Sequence, residues 1–282
     1  MTPVPKRAVD THVHVFEPAR FPFAADAYHP IAAEVGTADD LAAVLDAAGI
    51  ERVVLVNPTS GYGTDNRCML DALERLGPRA RGIARVPLDC SGRTLDALAR
   101  RGVVGVRIDF MGSGEAAIAD RATPRLLARL ADRGMVCAMQ GEGAQWIGIA
   151  PLVANAPGRI VIDHCGRPDV HAGVDAPAFA AVLRLADTRR VAVKLSGAMR
   201  FSAVDPPYPD TDPYYHAVIR AFGPARLMWG SDWPFLRSAR RLDYGPALAH
   251  LAHLLPRAAD RRQALVATPE RWFGFGRDRV VA

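Results

Sequence analysis

The chain has 282 residues, half of them hydrophobic and only 7% aromatic, with a formal net charge of +5. Its basic residues are nearly all arginines scattered beside acidic residues, without a basic run or interleaved aromatics, which argues against nucleic acid as a partner. No apolar run approaches the length of a membrane span, and the N-terminus does not resemble a signal peptide. The four cysteines are widely spaced, so we expect reduced thiols in a cytoplasmic protein with no membrane partner.

Eight short apolar segments are predicted to be strands. They span residues 9–16, 52–59, 82–88, 103–110, 135–140, 160–164, 191–195 and 226–230. Amphipathic helices are expected between them. Six are predicted at about 39–48, 93–101, 124–133, 144–155, 177–186 and 213–222, and one more, between the second and third strands, ends near residue 76. A Gly-rich loop is predicted directly after the fourth strand, and two or three further helices are predicted from Tyr244 onward.

Strands that are apolar along most of their length and alternate with helices are typical of a parallel sheet covered by helices. Eight such units in a chain of this length predict a (β/α)8 TIM barrel with extra C-terminal helices, since such barrels take about 250 residues. No linker divides the pattern, so a single domain over residues 1–282 is predicted. A doubly wound open sheet is the alternative fold.

Polar residues recur where the predicted strands end, which is the active-site face of a barrel of this kind. His12 and His14 share one face of the first strand, because side chains alternate along a strand. His164 ends the sixth strand, and Asp232 follows the eighth, which neighbours the first in a closed barrel. This set could hold one Zn²⁺. It could equally hold a water and a carbonyl group without a metal, with Asp232 as general base.

Three arginines at the same face are candidates for binding a substrate carboxylate or a lactone carbonyl, because a guanidinium can donate two parallel hydrogen bonds. They are Arg107, Arg167 and Arg200. The alternative is that they form ion pairs with Asp109, Asp163 or Asp169. Lys194, on the seventh strand, is expected to be a paired lysine inside the barrel; a catalytic amine is the alternative.

Four motifs make the chain resemble the amidohydrolase superfamily. They are Asp-Thr-His-Val-His at 10–14, Val-Ile-Asp-His-Cys-Gly-Arg-Pro-Asp at 161–169, Val-Lys-Leu-Ser-Gly at 193–197 and Trp-Gly-Ser-Asp-Trp-Pro at 229–234. Gly-Thr-Asp-Asn at 63–66 and Gly-Val-Arg at 105–107 are similar to the branch of lactonases that includes 2-pyrone-4,6-dicarboxylate lactonase. The resemblance covers essentially the whole chain.

The resemblance implies a hydrolase that opens a lactone of a small carboxylate-bearing molecule. In that hypothesis Asp232 activates water, and the three histidines together with arginines polarise the lactone carbonyl. The resemblance also implies that Tyr28 and Ser60 contact the substrate. Gln140, at the end of the fifth strand, is a further candidate for substrate binding. The small acidic lactone is then the only partner expected, with neither nucleic acid nor membrane, and the protein is expected to be a monomer or a homodimer.

The sequence departs from the superfamily pattern at two metal-binding positions and one substrate-binding position. Residues 105–110 lack the bridging lysine of two-metal members, and Gln140 stands in place of their strand-five histidine. Ser113 occupies the position of a second arginine in the pyrone dicarboxylate enzyme, so a different acidic lactone is expected. No cofactor is expected to be required. The alternatives are a single-Zn²⁺ hydrolase or decarboxylase that uses His12, His14, His164 and Asp232, and a non-catalytic binding protein on the same barrel.

Overall fold

All eight predicted strands form one parallel sheet whose order follows the sequence. The computed structural model describes residues 4–238 and 242–275; the two ends of the predicted domain and the side chain of Ser113 lie outside the described residues. The strands are β1 Val9–Val13, β2 Arg52–Val56, β3 Ala80–Ala84, β4 Val103–Asp109, β5 Val136–Gln140, β6 Arg159–Ile162, β7 Val191–Leu195 and β8 Leu227–Trp229. The predicted strands 9–16, 52–59 and 82–88 extend too far, because the strands end at Val13, Val56 and Ala84 and the residues that follow form loops.

Helices follow every strand and cover the outside of the sheet, as a TIM barrel requires. Those between strands are α1 Ala38–Ala48, α2 Arg67–Leu76, α3 Gly92–Arg100, α4 Phe110–Ala119, α5 Ala122–Asp132, α6 Trp146–Asn155, α7 Pro177–Arg184 and α8 Asp212–Phe222. The C-terminal helices are α9 Tyr244–Leu254, α10 Ala258–Arg262 and α11 Thr268–Phe273. The predicted fold class, a (β/α)8 barrel with extra C-terminal helices, is confirmed.

The barrel closes where β1 meets the segment that follows β8. The Asp232 backbone N–H donates to the His12 carbonyl at 2.9 Å, and the His14 backbone N–H donates to the Trp233 carbonyl at 2.9 Å. Two predicted site histidines and the predicted base thus alternate along one hydrogen-bonded ladder. The closure of the barrel therefore sets the distance between them.

The strand β1 contains an irregularity that simple alternation does not predict. Its register against β2 shifts between Asp10 and Val13. Asp10 accepts backbone hydrogen bonds from His12 and Ser231, both at 3.0 Å, and so supports this bulge. Because of the shift, Val9 packs in the barrel interior and His12 also points inward.

The barrel interior is apolar where the strands begin and polar where they end. The apolar part is built by side chains from seven strands and by the C-terminal segment: Val9, Val54, Ile83, Val136, Val161, Ala192, Met228, Trp272, Phe273 and Phe275. The C-terminal helix α11 therefore seals the end from which the strands start. The opposite end is left for the polar residues of the site.

The segment after β4 corrects one prediction, because it is the helix α4 and not a loop. The Asp109 side chain accepts a hydrogen bond from the Met111 backbone N–H at 3.0 Å, which is a helix-start contact. Ala117 is buried and Ile118 is half-buried against the core, so packing outweighs the low helix propensity of glycine. Gly114, at φ 52°, kinks the helix.

The cysteines and the helices bear on two of the expectations drawn from composition. All four cysteines are free and buried, as expected for reduced thiols. Among residues 4–238 and 242–275, no helix combines the length and the apolarity needed to cross a membrane.

Candidate active site

A cavity of about 310 Å³ opens at the carboxyl ends of the strands and contains most of the predicted site residues. Its lining is His14, Pro58, Thr59, Ser60, Arg107, Asp109, Met111, Gly112, Gln140, His164, Arg167, Arg200, Asp232, Leu236 and Arg237. Of the predicted site residues, only His12 and Tyr28 are not part of this lining. His12 is fully buried beneath the cavity floor, against His14 and His164.

The hydrogen bonds of His14 decide which of its ring nitrogens faces the cavity as an acceptor. Nδ1 lies 2.7 Å from the carbonyl oxygen of Val56, so the Nδ1–H donates to that oxygen. Nε2 lies 3.5 Å from Asp232 Oδ1. Burial lowers the pKa of His14 below its ordinary 6.5, although Asp232 opposes the shift. His14 is therefore a neutral imidazole with its Nε2 lone pair directed at Asp232.

His12 lies between a buried ion pair and the cavity floor. Its Nδ1 is 3.0 Å from Lys194 Nζ and 3.4 Å from Asp163 Oδ1, and its Nε2 is 3.7 Å from Asp232 Oδ1. Nε2 is buried without a hydrogen-bond partner among the described residues. Burial and the charge of Lys194 hold the pKa of His12 well below its ordinary value.

His164 approaches the same carboxylate from the end of β6. Its Nε2 is 3.9 Å from Asp232 Oδ1, and its Nδ1 shares a hydrogen bond of 2.9 Å with Ser196 Oγ. Burial lowers the pKa of His164 to about 4. Gly197 leaves room for this imidazole, because a Cβ there would come within 2.4 Å of His164 Nδ1. His164 (φ 51°) and Asp232 (φ 64°) both adopt left-handed backbone, a strain that often accompanies functional sites.

Asp232 is buried with its two carboxylate oxygens in different surroundings. Oδ2 accepts a hydrogen bond from Arg200 Nε at 2.5 Å, while Oδ1 has no hydrogen-bond partner among the described residues. Burial by itself would raise the pKa of Asp232, but Arg200 and the neighbouring imidazoles outweigh that effect and hold the pKa well below 3.8. Asp232 is therefore ionised at neutral pH, with Oδ1 free to accept a proton.

The three predicted arginines all line the cavity. Their contacts differ from the alternative considered above, ion pairs with Asp109, Asp163 or Asp169. Arg107 donates to the Asn57 carbonyl at 3.3 Å and to Thr59 Oγ1 at 3.2 Å. Arg167 pairs with Glu142 at 2.9 Å, and Arg200 pairs with Asp232. The Nε atoms of Arg107 and Arg167 are buried without a hydrogen-bond partner in the described part of the chain. Each of these two guanidiniums thus has one N–H group that makes no hydrogen bond within the described residues.

The remaining predicted contacts divide into two groups. Ser60 and Gln140 line the cavity, and the buried Oε1 of Gln140 has no hydrogen-bond partner among the described residues. Tyr28 instead donates to Glu34 at 2.7 Å and lies beneath the guanidinium of Arg237, 4.0 Å from its ring centre. Tyr28 therefore supports a lining residue and does not face the cavity.

Two further features of the site are an arginine that was not predicted from the sequence and the lysine that was predicted to be paired. Arg237 follows the Asp232 motif by five residues and adds a fourth guanidinium to the cavity lining. Asp163 and Lys194 form a fully buried ion pair at 3.0 Å beneath His12, which confirms the expectation of a paired lysine. The pair could have been found by aligning β6 with β7, since both residues share the inward face of neighbouring strands.

The donor set fits a single divalent metal in kind and in spacing. One ligand atom from each of His12, His14 and Asp232 lies within 4.8 Å of the others, and two nitrogens with one carboxylate oxygen suit Zn²⁺. The His12 and Asp232 atoms of this set are buried without hydrogen-bond partners among the described residues. His164, the fourth predicted ligand, lies just outside this group of three.

Comparisons with known proteins agree along nearly the full chain. A family profile described as Amidohydrolase matches residues 9–275. The 4-sulfomuconolactone hydrolase of Rhizobium radiobacter is 36% identical over 96% of this chain and 91% of the relative. The 2-pyrone-4,6-dicarboxylate hydrolase of Comamonas testosteroni is 33% identical over the same shares. A solved structure of a probable 2-pyrone-4,6-dicarboxylic acid hydrolase from Acinetobacter baumannii, with citric acid bound, superposes with a TM-score of 0.87 at 25% identity, covering 95% of this chain and 99% of that one.

Proposed function

The chain belongs to the amidohydrolase family, and we propose that it hydrolyses the lactone ring of a small carboxylate-bearing molecule. The observation that carries the proposal is the convergence of Asp232 Oδ1 with three imidazole nitrogens, 3.5 to 3.9 Å away, at the floor of a cationic cavity. Four arginines and two aspartates line that cavity, which favours an anionic substrate. The two curated relatives are named for hydrolysis of a sulfomuconolactone and a pyrone dicarboxylate, which are both anionic.

In the proposed reaction, the first step is attack by a water molecule held between Asp232 and His14. The water donates one proton towards Asp232 Oδ1, which is ionised because its pKa lies well below 3.8. The Nε2 lone pair of His14 accepts the other hydrogen and so orients the water oxygen. The oxygen attacks the lactone carbonyl carbon as its proton passes to Asp232, a general-base contribution of about 10²–10⁴-fold.

The attack places negative charge on the carbonyl oxygen, which needs hydrogen-bond donors already in position. The imidazoles of His12 and His164 and the guanidiniums of the wall are the available donors. Preorganised donors of this kind often contribute more to the rate than any other single effect. The ring C–O bond then breaks, Asp232 returns its proton to the departing ring oxygen, and the product leaves as a hydroxy acid whose new carboxyl group ionises in water.

The carboxylate of the substrate binds among the arginines in this proposal. Arg107 and Arg167 have buried Nε–H groups without hydrogen-bond partners in the described part of the chain, so a carboxylate there satisfies donors that the protein leaves open. Arg200, Ser60 and Gln140 complete the wall. Tyr28 acts more remotely in this scheme, through the stacked guanidinium described above.

The proposed reaction requires no metal. Fixed cations lie beside two of the three candidate ligand groups: Arg200 is 2.5 Å from Asp232, and Lys194 is 3.0 Å from His12. These charges raise the electrostatic cost of adding a divalent ion. If a Zn²⁺ binds, His12, His14 and Asp232 would hold it, and it would polarise a carbonyl and acidify water. The unpartnered ligand atoms favour this second candidate, a single-metal hydrolase or decarboxylase.

A screen of acidic lactones with a pH indicator tests the proposed function, because each ring opening releases a proton. We expect Asp232→Asn to lower kcat by about 10²–10⁴-fold on any lactone that the wild type opens. Asp46→Asn, on the exposed side of α1, is the matched control and should retain full activity. Near-full activity of Asp232→Asn would refute the mechanism.

Elemental analysis of protein purified without added metal, combined with activity after chelation, separates the two candidates. We expect far less than one equivalent of Zn²⁺ and an activity that chelation leaves unchanged. Stoichiometric metal and loss of activity on chelation would favour the single-metal alternative instead.

A further inference from the structure

The buried cation beneath His12 has a geometry that goes beyond charge pairing. Lys194 is fully buried and outside the cavity lining, and its Nζ lies 3.0 Å from both His12 Nδ1 and Asp163 Oδ1. We infer that Lys194 is a positioning residue that keeps the single imidazole proton of His12 on Nε2, so that His12 acts as a hydrogen-bond donor to the lactone carbonyl and not as a metal ligand. The donor role rests on the proposed lactone hydrolysis, whereas the position of the proton does not.

A charged ammonium group can donate hydrogen bonds but cannot accept them. Lys194 carries three N–H donors and no lone pair when it is charged, so a nitrogen 3.0 Å away must accept from it. Burial lowers the pKa of Lys194, but the Asp163 carboxylate opposes that shift. The pKa of Asp163 is held well below its ordinary value by Lys194 in spite of burial, so the pair is ionic at neutral pH. His12 is neutral for the reasons given above, and with Nδ1 accepting, its one proton lies on Nε2.

The two histidines of β1 then have opposite tautomers. His14 carries its proton on Nδ1 because the Val56 carbonyl accepts it at 2.7 Å, and it turns a lone pair towards the cavity. His12 turns an N–H in the same direction. One strand therefore presents one donor and one acceptor beside Asp232 Oδ1, at 3.7 and 3.5 Å from it. A carbonyl oxygen suits the donor, and a water hydrogen suits the acceptor.

The same contact opposes metal binding at His12. A protonated Nε2 has no lone pair to offer a metal. Without the ammonium, His12 could place its proton on Nδ1 and donate to Asp163 Oδ1, now 3.4 Å away. That would free Nε2 in the carboxylate–histidine–metal arrangement common at zinc sites. Lys194 thus selects between two chemistries available to one set of side chains.

Nitrogen-15 NMR of the histidine rings in the wild-type protein tests the proton position directly. We expect His12 to show a protonated Nε2 and an unprotonated Nδ1, and His14 to show the reverse. Assignment comes from comparison with His12→Asn and His14→Asn. A protonated Nδ1 in His12 would overturn the inference, and this experiment needs neither a substrate nor a folded Lys194 variant.

Zinc titration by calorimetry provides a second test. Lys194→Met should bind Zn²⁺ about tenfold or more tightly than the wild type. Its kcat on a lactone should fall by about 10²–10³-fold with KM little changed, because a transition-state donor is lost. Lys6→Met, at the only other lysine in the sequence and exposed, is the matched control and should change neither quantity.

Unchanged zinc affinity in folded Lys194→Met would contradict the inference. If NMR shows the expected tautomers but neither the wild type nor any variant opens a lactone, the proposed function is refuted and the position of the His12 proton is not.

Discussion

The three imidazoles at the cavity floor are poor bases compared with a histidine in water. Burial lowers the pKa of His12 and His14, and it lowers that of His164 to about 4 from an ordinary 6.5. A histidine whose pKa is lowered holds less of its proton at neutral pH than an ordinary histidine does. The neutral imidazole is therefore the dominant form of all three rings at neutral pH, and Asp232 is ionised there.

This charge state predicts the pH profile of the reaction. We expect kcat/KM for a lactone whose charge is constant to be flat between about pH 6 and 8, because no group of the proposed machinery titrates there. Initial rates at low substrate concentration across that range would measure it. An acid limb with a midpoint near 6.5 would show that one of these imidazoles has an ordinary pKa and that the proposed charge state is wrong.

At the scale of secondary-structure elements, the contact between β1 and β8 is held by a buried carboxylate. Asp10 accepts backbone hydrogen bonds from His12 and Ser231 and a hydrogen bond of 2.8 Å from the Tyr244 hydroxyl. It thereby joins the bulge of β1, the segment after β8 and the helix α9. Burial raises the pKa of Asp10 to about 6, although each of these hydrogen bonds opposes the shift.

A raised carboxyl pKa makes part of the stability depend on pH. The folded state binds the proton of Asp10 more tightly than the unfolded chain does, so the stabilisation is complete below pH 3.8 and is lost as pH rises through about 6. The loss corresponds to about 3 kcal/mol for a shift of about two units. The asparagine of Asp10→Asn does not titrate, so this variant does not lose stability in this way. Its free energy of unfolding minus that of the wild type should therefore increase by about 3 kcal/mol between about pH 4 and pH 7.

Urea unfolding of both proteins at several pH values would measure the difference. Asp46→Asn serves again as the control for losing one carboxylate from the surface of α1. A difference between Asp10→Asn and wild type that is constant with pH would show that Asp10 has an ordinary pKa in the folded protein.

At the scale of the whole molecule, charge and cavity act in the same direction. The chain carries a formal charge of +5, and arginines outnumber carboxylates in the cavity lining. Such a field attracts anionic substrates over a distance that salt shortens, from about 30 Å at 0.01 M to about 8 Å at 0.15 M.

We therefore expect kcat/KM for a dianionic lactone to fall about 3- to 10-fold between those ionic strengths. A neutral lactone of similar size should show no such fall, which makes it the internal control. The variant Arg237→Gln removes an exposed charge at the rim and should weaken the salt dependence. Equal salt dependence for the charged and the neutral lactone would argue against electrostatic selection of the substrate.

Local pattern was sufficient to predict the barrel and the convergence of polar side chains at one of its ends. The alternation of apolar strands and amphipathic helices is a short-range property, and it placed His14, His164 and Asp232 at one mouth through a general rule about parallel barrels. His12 was also placed correctly, but for an incomplete reason. Strict alternation from Val9 would direct its side chain away from the interior, and the bulge supported by Asp10 corrects the direction.

Partners and charge states depended on the tertiary structure. Lys194 meets His12 and Asp163 only because β1, β6 and β7 converge inside a closed barrel, and their pairing register is not written in any one segment. Burial then removes water from these groups, so that neighbours decide which nitrogen carries a proton. The helix α4 and the contribution of Arg237 likewise depend on packing between distant segments. Composition and periodicity determine which residues reach the site, whereas desolvation and cross-strand contacts decide what each of them can do there.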